Sequence, residues 1–477
     1  MKISIITLFP KLYESFLNTS IIQRAAENKL VEFNTICLFD MVQPKERVDE
    51  PTCGPGSGMI LKPEVLEKAI EKCEQKNGKG LKIFFSPQGV TLNQKILKKL
   101  ADKIINQEEI DTEFLLPPAY AKASSGKPAN HIILVCSRYE GIDERVEQHY
   151  ADGILSIGNY VLMGGDLPAQ VFIEGFLRLI PEVVGKEESV EKESFSEHLL
   201  DFPQYGLPKE WKNLNIPEIV LSGDHAKIES WRKDQACKKT LLNNFEWLRK
   251  NIPNKEEAIF CKKHIPKHYV ALMHSEIMLK DGRIGHSSVT SLDLHDIARS
   301  STTYGVENFF MVSELKDQMS IIQNLLDFWG SQEGKEYNLS RHQAVSKVKP
   351  ANTLDEVLKS IEETEGKKPA YAKATSDKPL IITTSAKQHG NVEKIDFFDQ
   401  GKVWAQDRPV LIILGTGQGL SDRILELSDF LLVPVEGMTN YNHLSVRSAA
   451  AIILDRWLGL QPRISLNPQI IDEFDKK

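Results

Sequence analysis

Short apolar runs alternate with amphipathic stretches through residues 1–181. Runs of strand length occupy Ile3–Leu8, Leu81–Phe85, His131–Cys136 and Gly153–Ile157. Helix signals fall at Pro63, over Leu92–Ile105, and from Asp166 to about Ile180. Strands that alternate with helices build a mostly parallel sheet covered on both faces. The pattern therefore predicts an α/β fold for this part of the chain.

A second α/β pattern opens near residue 269. Its predicted strands are Tyr269–Met273, Asn308–Val312, Leu380–Ile382, Val410–Leu414 and Phe430–Val435. Its predicted helices are Leu292–Thr303, Asp317–Trp329, Thr353–Glu365 and His443–Gly459. A stretch of this length can bury a core of its own.

The two patterns are separated by a change in composition. Residues 182–201 hold seven acidic side chains and two lysines, which is typical of a flexible linker. Residues 202–263 then follow a helical pattern with Trp211, Trp231 and Trp247 as expected core residues. We therefore predict domains at 1–181 and 264–477, joined by a linker at 182–201 and a small helical domain at 202–263.

Composition adds limits on the class of protein. The 477 residues are 41% apolar and 26% charged, as in a soluble globular protein, and no apolar run is long enough for a membrane helix. The start lacks the pattern of a signal peptide, and the six cysteines form no metal-ligand spacing, so we expect free thiols, no metal centre and a cytoplasmic location. Net charge is −7, yet Lys227–Lys250 carries seven basic and three acidic residues, which indicates either an RNA-facing helix or a solvated one.

Three loops rich in glycine or proline follow strands of the first pattern: Ser86–Gly89, Arg138–Arg145 and Ser156–Pro168. In open α/β sheets ligands bind at this edge, and glycine lets the backbone approach a flat ring closely. No loop has the phosphate-binding or dinucleotide fingerprint, which argues against a nucleotide polyphosphate and against a nicotinamide oxidoreductase. The loops predict a nucleoside-like ligand held by backbone atoms.

These motifs, with Arg47–Asp49, Gly54–Met59 and Leu221–His225, resemble bacterial tRNA (guanine-N(1)-)-methyltransferases of the TrmD type, from Met1 to about Lys250. The resemblance implies S-adenosylmethionine as methyl donor, bound in a deep trefoil knot of the SPOUT superfamily. It also implies an obligate homodimer with the site between subunits, and the tRNA guanosine 3′ to the anticodon (position 37) as target. It leaves open whether Mg²⁺ takes part.

Residue roles in the first half are carried over from the same resemblance. The implied donor-binding residues are Phe85, Ser86, Pro87, Gln88, Gly89, Ser137, Tyr139, Glu140, Gly141, Ile157, Gly158, Asn159, Tyr160, Val161, Leu162, Gly164, Gly165, Leu167 and Pro168. The implied RNA-binding residues are Asp201, His225, Trp231 and Arg232.

The reaction itself sets a requirement for two further groups. Guanine N(1) carries a proton and must lose it to a base, while a cation must steady the charge that develops on O6. Glu193 matches the family's proposed base, where Asp is usual, and Arg178 matches its catalytic arginine. Taken alone, Glu193 would be read as a solvated linker carboxylate and Arg178 as a surface residue.

The second α/β pattern has its own glycine-bearing loops, and their order is similar to a second SPOUT methyltransferase domain of a bacterial RNA-methyltransferase-like family. The implied donor-binding residues are Thr384, Leu414, Gly415, Gly417, Gly419, Pro434, Glu436, Gly437, Met438, His443, Leu444, Ser445 and Ala449. His443 and Arg447 are also candidates for RNA contact, with a structural hydrogen bond as the alternative for His443. No base stands out in this half.

Two functional hypotheses remain open on the sequence. In the first, the chain methylates tRNA guanine N(1) through its N-terminal half. In the second, that half mainly binds tRNA and the C-terminal domain does the chemistry, as a ribose 2′-O-methyltransferase for example. The segment Pro118–Pro128 also recurs as Pro369–Pro379, either as neutral surface loops or as a shared contact surface.

Overall fold

The computed structural model describes residues 1–55, 58–120, 127, 130–185, 193–366, 378–385 and 392–460. These form two compact units, Met1–Glu197 and His198–Lys477. Most of both copies of the repeated segment, and residues 186–192 of the predicted linker, lie outside the described residues. In the part that is described, no helix combines the length and apolar character needed to cross a bilayer.

The described strands are β1 Lys2–Thr7, β2 Glu32–Cys37, β3 Asp49–Pro51, β4 Met59–Leu61, β5 Leu81–Thr91, β6 His131–Val135, β7 Gly153–Ser156, β8 Glu210–Trp211, β9 Leu214–Asn215, β10 His268–Met273, β11 Ile277–Met278, β12 Ile284–Gly285, β13 Asn308–Val312, β14 Val348–Ala351, β15 Leu380–Thr384, β16 Lys394–Ile395, β17 Val410–Gly415 and β18 Phe430–Leu432. The longer α-helices are Pro63–Asn77, Gln94–Ile105, Asp166–Leu177, His225–Lys250, Lys255–His264, Ser291–Thr303, Lys316–Gly330, Leu354–Glu365 and Val446–Leu458. Shorter ones are Lys11–Leu17, Ser20–Glu27, Glu144–Tyr150, Glu218–Leu221, Gln332–Tyr337, Leu339–Val345, Gln400–Trp404 and Asp422–Glu426.

The first unit is built on a five-stranded sheet in the order β2-β1-β6-β5-β7, with every pair parallel. Separate apolar clusters cover the two faces of this sheet. The central strand β6 is buried throughout, as the apolar run Ile132–Val135 requires.

The second unit contains a seven-stranded parallel sheet in the order β14-β13-β10-β17-β15-β18-β16. If the edge strands β14 and β16 are left out and the other five strands are numbered 1 to 5 in chain order, their order across the sheet is 2-1-4-3-5. The five strands of the first sheet, numbered in the same way, also have the order 2-1-4-3-5. The two units therefore share one sheet topology, with loops from the ends of three adjacent strands at corresponding positions.

The predicted α/β fold with parallel sheets is confirmed in both units. The sequence pattern missed β2, which is only half-buried, and the edge strand β14. The last helix begins at Val446 rather than at His443, because the Ser445 hydroxyl accepts a hydrogen bond from the Ser448 amide and caps the helix there.

The segment 202–263 differs from the predicted purely helical pattern. It opens with a small hairpin of β8 and β9, and Trp211, which we expected in the core, is 60% exposed on it. The long helix His225–Lys250 follows, begun by Asp224, whose carboxylate accepts from the Lys227 amide at 3.1 Å.

This helix packs within the second unit. The buried guanidinium of Arg249 donates to the backbone carbonyls of Gly459, Arg456 and Asp455 at 2.8, 2.8 and 3.1 Å. Cys237, Leu241 and Leu248 also belong to the apolar core that the second unit shares. The helical segment is thus joined to the C-terminal α/β layer, while its status as a separate domain stays a prediction.

Candidate functional site: two loop clusters at sheet edges

In the first unit, the predicted ligand loops leave the carboxyl ends of the adjacent strands β6, β5 and β7. Ser86–Gly89 is not a separate loop, because β5 runs on to Thr91 and the ladder with β7 shifts register between Phe85 and Val90. Gly89 lies against the β7 backbone: an added Cβ would sit 2.6 Å from the Ile154 carbonyl oxygen. The bulge therefore needs glycine at this point.

Two further glycines allow the loop after β7 to contact the loop after β6. The Gly165 amide donates to the Ser137 carbonyl at 2.9 Å. A Cβ on Gly164 would lie 2.6 Å from that same oxygen, and one on Gly165 would lie 2.8 Å from the Ser137 nitrogen. Such distances are too short for any side chain, so backbone meets backbone here, whereas the predicted approach of this backbone to a ligand ring stays a prediction.

Below these loops lies a buried polar cluster that sequence reasoning missed. The carboxylate of Asp166, 2% exposed, accepts from the Thr7 hydroxyl at 2.5 Å and forms an ion pair with Arg138 at 3.3 Å. Tyr13 donates to the Asp166 carbonyl, and burial raises the pKa of its hydroxyl. Burial likewise raises the pKa of the neighbouring Cys136 thiol well above its usual value. The cluster ties β1, β6 and the helix after β7 together beneath the ligand loops.

The remaining predicted donor residues of this unit lie along the same edge, with different exposure. Tyr139 and Gly158 have left-handed backbone angles, φ +59° and +147°, which shape the turns. Phe85 and Pro168 are buried under the loops. The half-buried members are Ser86, Ser137, Gly141, Ile157, Gly158 and Gly164. The exposed members are Pro87, Gln88, Tyr139, Glu140, Asn159, Tyr160, Val161, Leu162 and Leu167.

The two predicted catalytic residues lie together. Arg178 ends the helix Asp166–Leu177, and its guanidinium contacts the Glu193 carboxylate at 2.6 Å. Both side chains are partly exposed, 43% for Arg178 and 34% for Glu193. Arg178 also lines a cavity of about 520 Å³ beside Ser196 and Pro181. A carboxylate and a guanidinium thus lie side by side at an accessible surface.

Three of the predicted RNA-binding residues, His225, Trp231 and Arg232, lie in the first turns of the long helix of the second unit, and the fourth, Asp201, contacts the middle of that helix. The Arg232 guanidinium stacks over the Phe202 ring at 4.6 Å, and the Trp231 ring lies 6.2 Å from that of Tyr205. His225 is the exposed first residue of the helix. The backbone carbonyl of Asp201 accepts from the Lys239 ammonium at 3.2 Å.

A cavity of about 470 Å³ lies in the second unit, where β10, β15, β17 and β18 end and the last helix begins. Most of the predicted donor residues line it: Thr384, Leu414, Gly415, Gly417, Gly419, Pro434, His443, Leu444, Ser445 and Ala449. Glu436, Gly437 and Met438 do not line it and lie exposed on the same loop. Arg447 points to Asp293 and Asp296, at 3.5 and 3.9 Å.

The cavity also contains residues that the sequence did not single out, namely His274, Ser287, Ser288 and Asp293. His274 directly follows β10, and Met273 of that strand is paired with Gly415 of β17. Its position immediately after an apolar strand could have identified His274 as a candidate, since the carboxyl ends of parallel strands lie at the edge where ligands bind.

Comparison with known proteins covers both units. The family model described as "tRNA (Guanine-1)-methyltransferase TrmD" matches residues 1–106 and 119–250. The model described as "SAM-dependent RNA methyltransferase" matches residues 267–459. The two matches follow one another along the chain and include the two loop clusters described above.

Some curated relatives are similar to nearly the whole chain, and others to about half of it. It is 34% identical to a tRNA (guanine-N(1)-)-methyltransferase of Nitratidesulfovibrio vulgaris, over 96% of this chain and 99% of that protein. Identity to the protein of the same name from Oleidesulfovibrio alaskensis is 32%, again over 96% and 99%. The protein of that name from Carboxydothermus hydrogenoformans is 38% identical over 54% of this chain and 92% of its own length.

Proposed function

Because the chain belongs to the tRNA (guanine-N(1)-)-methyltransferase family, we propose that its first unit methylates N(1) of the guanosine 3′ to the anticodon, tRNA position 37. The chain is an S-adenosylmethionine-dependent tRNA methyltransferase with a second RNA methyltransferase region behind it. The observation that carries the assignment of catalytic roles is the contact between Arg178 and Glu193.

The chemistry needs both members of that pair. Glu193 removes the proton from guanine N(1), so that the nitrogen lone pair can attack a methyl group. Arg178 donates to O6, where negative charge accumulates as the proton leaves. In the free protein the two side chains hold each other in place at 2.6 Å, and substrate enters between them.

The methyl donor fits the edge formed by the loops after β5, β6 and β7. S-adenosylmethionine supplies an electrophilic methyl group on a sulfonium. Its adenine ring would be held by backbone groups near Ser137, Gly141 and Ile157, since Gly164 and Gly165 keep side chains out of the approach. The buried Asp166 cluster would hold those loops rigid.

The role of Glu193 is tested with three full-chain variants and tRNA lacking the modification. Glu193→Gln should lower N(1)-methylguanosine formation by about 10²–10⁴-fold with donor binding unchanged, because the amide cannot take the proton. Glu193→Asp should keep measurable activity, and Glu64→Gln, an exposed helix carboxylate, should match wild type. Full activity of Glu193→Gln would refute the assignment; parallel reactions with and without Mg²⁺ test a metal requirement.

We propose that the second unit uses its cavity of about 470 Å³ for a second methyl-donor molecule and modifies RNA. Two observations support this: its match to an RNA methyltransferase family and its strand order, identical to that of the first sheet. Calorimetry on the full chain should give two donor molecules per chain. One donor per chain would contradict the proposal.

We also propose that both sheets carry the SPOUT trefoil knot and that the chain acts as a homodimer. Exposed apolar side chains support the dimer: Val161 and Met163 are each 85% exposed, and Leu167 is 56% exposed beside them. A surface of this kind marks a protein interface. In the second unit Tyr441 and Leu444 are likewise exposed beside the cavity.

A further inference from the structure

The cavity of the second unit contains a buried histidine that no role yet explains. His274 is 0% exposed and lines the cavity together with the glycine loop Gly415–Gly419. Its backbone amide donates to the Val312 carbonyl at 2.9 Å, and its carbonyl accepts from the Ser287 amide at 2.8 Å. The imidazole is therefore held at a fixed position next to the proposed donor loops.

A chain of hydrogen bonds decides which ring nitrogen carries the proton. The Thr416 hydroxyl donates to the Met273 carbonyl at 2.8 Å, so its only proton is used there. Ser287 must then donate to the Thr416 oxygen in their 2.6 Å contact. Having donated its proton, the Ser287 oxygen accepts from Nδ1–H of His274 at 3.0 Å. Nε2 is left with a lone pair.

That lone pair has no hydrogen-bond donor among the residues that the structure describes. A buried polar atom without a partner costs free energy, and a ligand in the adjoining cavity would relieve that cost by donating to it. Burial lowers the pKa of His274 to about 4, so the ring is neutral at pH 7. Asp293, on the wall of the same cavity, acts in the opposite direction, because its negative charge favours the imidazolium.

We propose that Nε2 of His274 is the proton acceptor for methyl transfer in the second unit, and that the group methylated there is an RNA hydroxyl or ring N–H. The inference rests on the proposed function of this unit. In the step, the methyl carbon–sulfur bond breaks and a carbon–oxygen or carbon–nitrogen bond forms. The bonding electrons stay on sulfur, which becomes a neutral thioether. The proton of the nucleophile passes to Nε2, and Asp293, which also pairs with Arg447 at 3.5 Å, favours the imidazolium. The proton then leaves to water through the cavity that both residues line.

Three residues thus have separate roles. His274 is the catalytic residue, because it takes the proton from the nucleophile. Ser287 and Thr416 are positioning residues, because they act only through the tautomer of His274. The same chemistry admits two sources of the proton, a ribose 2′-hydroxyl and a base N–H, which the product distinguishes.

The test replaces the chromosomal gene with full-length variants and compares methylated nucleosides in total RNA by mass spectrometry. In His274→Gln cells one methylated nucleoside should fall at least 100-fold, while N(1)-methylguanosine is unchanged and reports an intact first unit. Purified wild-type chain with S-adenosylmethionine should restore it to that RNA. Methylation on the ribose identifies the hydroxyl as target, and methylation on a base identifies the N–H.

Gly417→Val separates failure of this inference from failure of the proposed function. Gly417 has φ +63°, and an added Cβ would lie 3.0 Å from the Met278 carbonyl, so valine distorts the donor loop. If Gly417→Val loses a nucleoside that His274→Gln keeps, the second unit is a methyltransferase but His274 is not its base. If neither variant loses one, both proposals are overturned.

Nitrogen NMR of the labelled full chain tests the tautomer independently of any activity measurement. The difference between wild-type and Ser287→Ala spectra should assign a neutral ring protonated at Nδ1 in the wild type. A ring protonated at Nε2 would overturn the inference. Donor stoichiometry of His274→Gln, expected to remain that of wild type, excludes a folding defect as the cause of lost product.

Discussion

Single residues decide how closely two loops of the first unit approach each other. Gly164 and Gly165 touch the backbone of Ser137, where a Cβ would come within 2.6 and 2.8 Å of main-chain atoms. Main-chain atoms cannot rotate away as a flexible side chain can. The loops after β6 and β7 therefore tolerate no side chain at either position.

Gly165→Ala should weaken donor binding by the first unit at least tenfold. The added methyl group would overlap the Ser137 backbone, so the loop must move to make room for it. Displacements near 1 Å are costly at an active site. Gly185→Ala is the matched control, since an added Cβ there meets nothing within 4 Å. Titration calorimetry measures both. Equal affinity in the two variants would contradict the backbone-contact argument.

The ion pair between Arg178 and Glu193 is an accessible one, and accessible pairs contribute little to stability. Arg178→Gln should therefore lower the free energy of unfolding by less than about 1 kcal/mol. The same change should lower kcat by about 10²–10³-fold if the guanidinium steadies O6. Urea unfolding and single-turnover assays separate the two effects, and a loss of stability that matches the loss of activity would argue for a structural role.

At the scale of elements, the last helix depends on a residue far away in the sequence. Arg249 donates to three carbonyls at the end of Val446–Leu458, where a helix leaves carbonyls without partners. The guanidinium is almost fully buried, so water cannot replace it. This contact joins the part of the chain that matches the first family to the part that matches the second.

Arg249→Ala should destabilise the second unit by about 3 kcal/mol, because it leaves buried carbonyls unsatisfied. Lys250→Ala removes an exposed cation from the same helix turn and should cost less than about 1 kcal/mol. Hydrogen exchange of the Val446–Leu458 amides gives the local readout. Unchanged exchange in Arg249→Ala would mean that the helix end is held by packing alone.

At the scale of the whole molecule, the second unit buries two neutral histidines. His268 accepts from the Trp457 indole N–H at 3.0 Å, and burial lowers its pKa to about 4. Burial has the same effect on the pKa of His274, also to about 4. Both values lie below the 6.5 of an ordinary histidine, so the unfolded chain binds more protons than the folded one between pH 6.5 and 4.

Stability of the second unit should therefore fall as pH drops through that window. Each histidine contributes about 2 kcal/mol of the loss between pH 7 and pH 5. Urea unfolding at the two pH values measures it, with His268→Gln expected to flatten the slope and the exposed His225→Gln expected to leave it unchanged. A slope that His268→Gln does not alter would contradict the assignment.

The exposed apolar surface of the first unit bears on assembly. Met163→Asp should convert the proposed dimer to a monomer, because a carboxylate would be desolvated in the interface. Ile105→Asp changes an apolar residue that is 42% exposed elsewhere on the unit and should leave assembly unchanged. Sedimentation velocity distinguishes the two, and a monomeric wild type would refute the proposed dimer.

Many of the strands and loops could be predicted from the sequence, because they depend on the local order of apolar residues and glycines. Apolar runs of five or six residues are buried strands in both units, and the loops after them hold the glycines that a close backbone approach needs. The family and the methyl donor could also be predicted, because the motifs that indicate them are contiguous in the sequence. Trp211 was misjudged, since a tryptophan in a two-residue strand has no second layer to cover it.

Contacts between distant residues were decided only by the tertiary structure. Thr7 meets Asp166 across 159 positions, Ser287 meets Thr416 across 129, and Arg249 meets Gly459 across 210. No local pattern encodes such pairs, because each depends on which distant strands and helices pack against each other. The sequence alone thus specified the strands and the glycine-bearing loops, whereas the buried acid of the first unit and the uncharged histidine of the second acquire partners only when the sheets assemble.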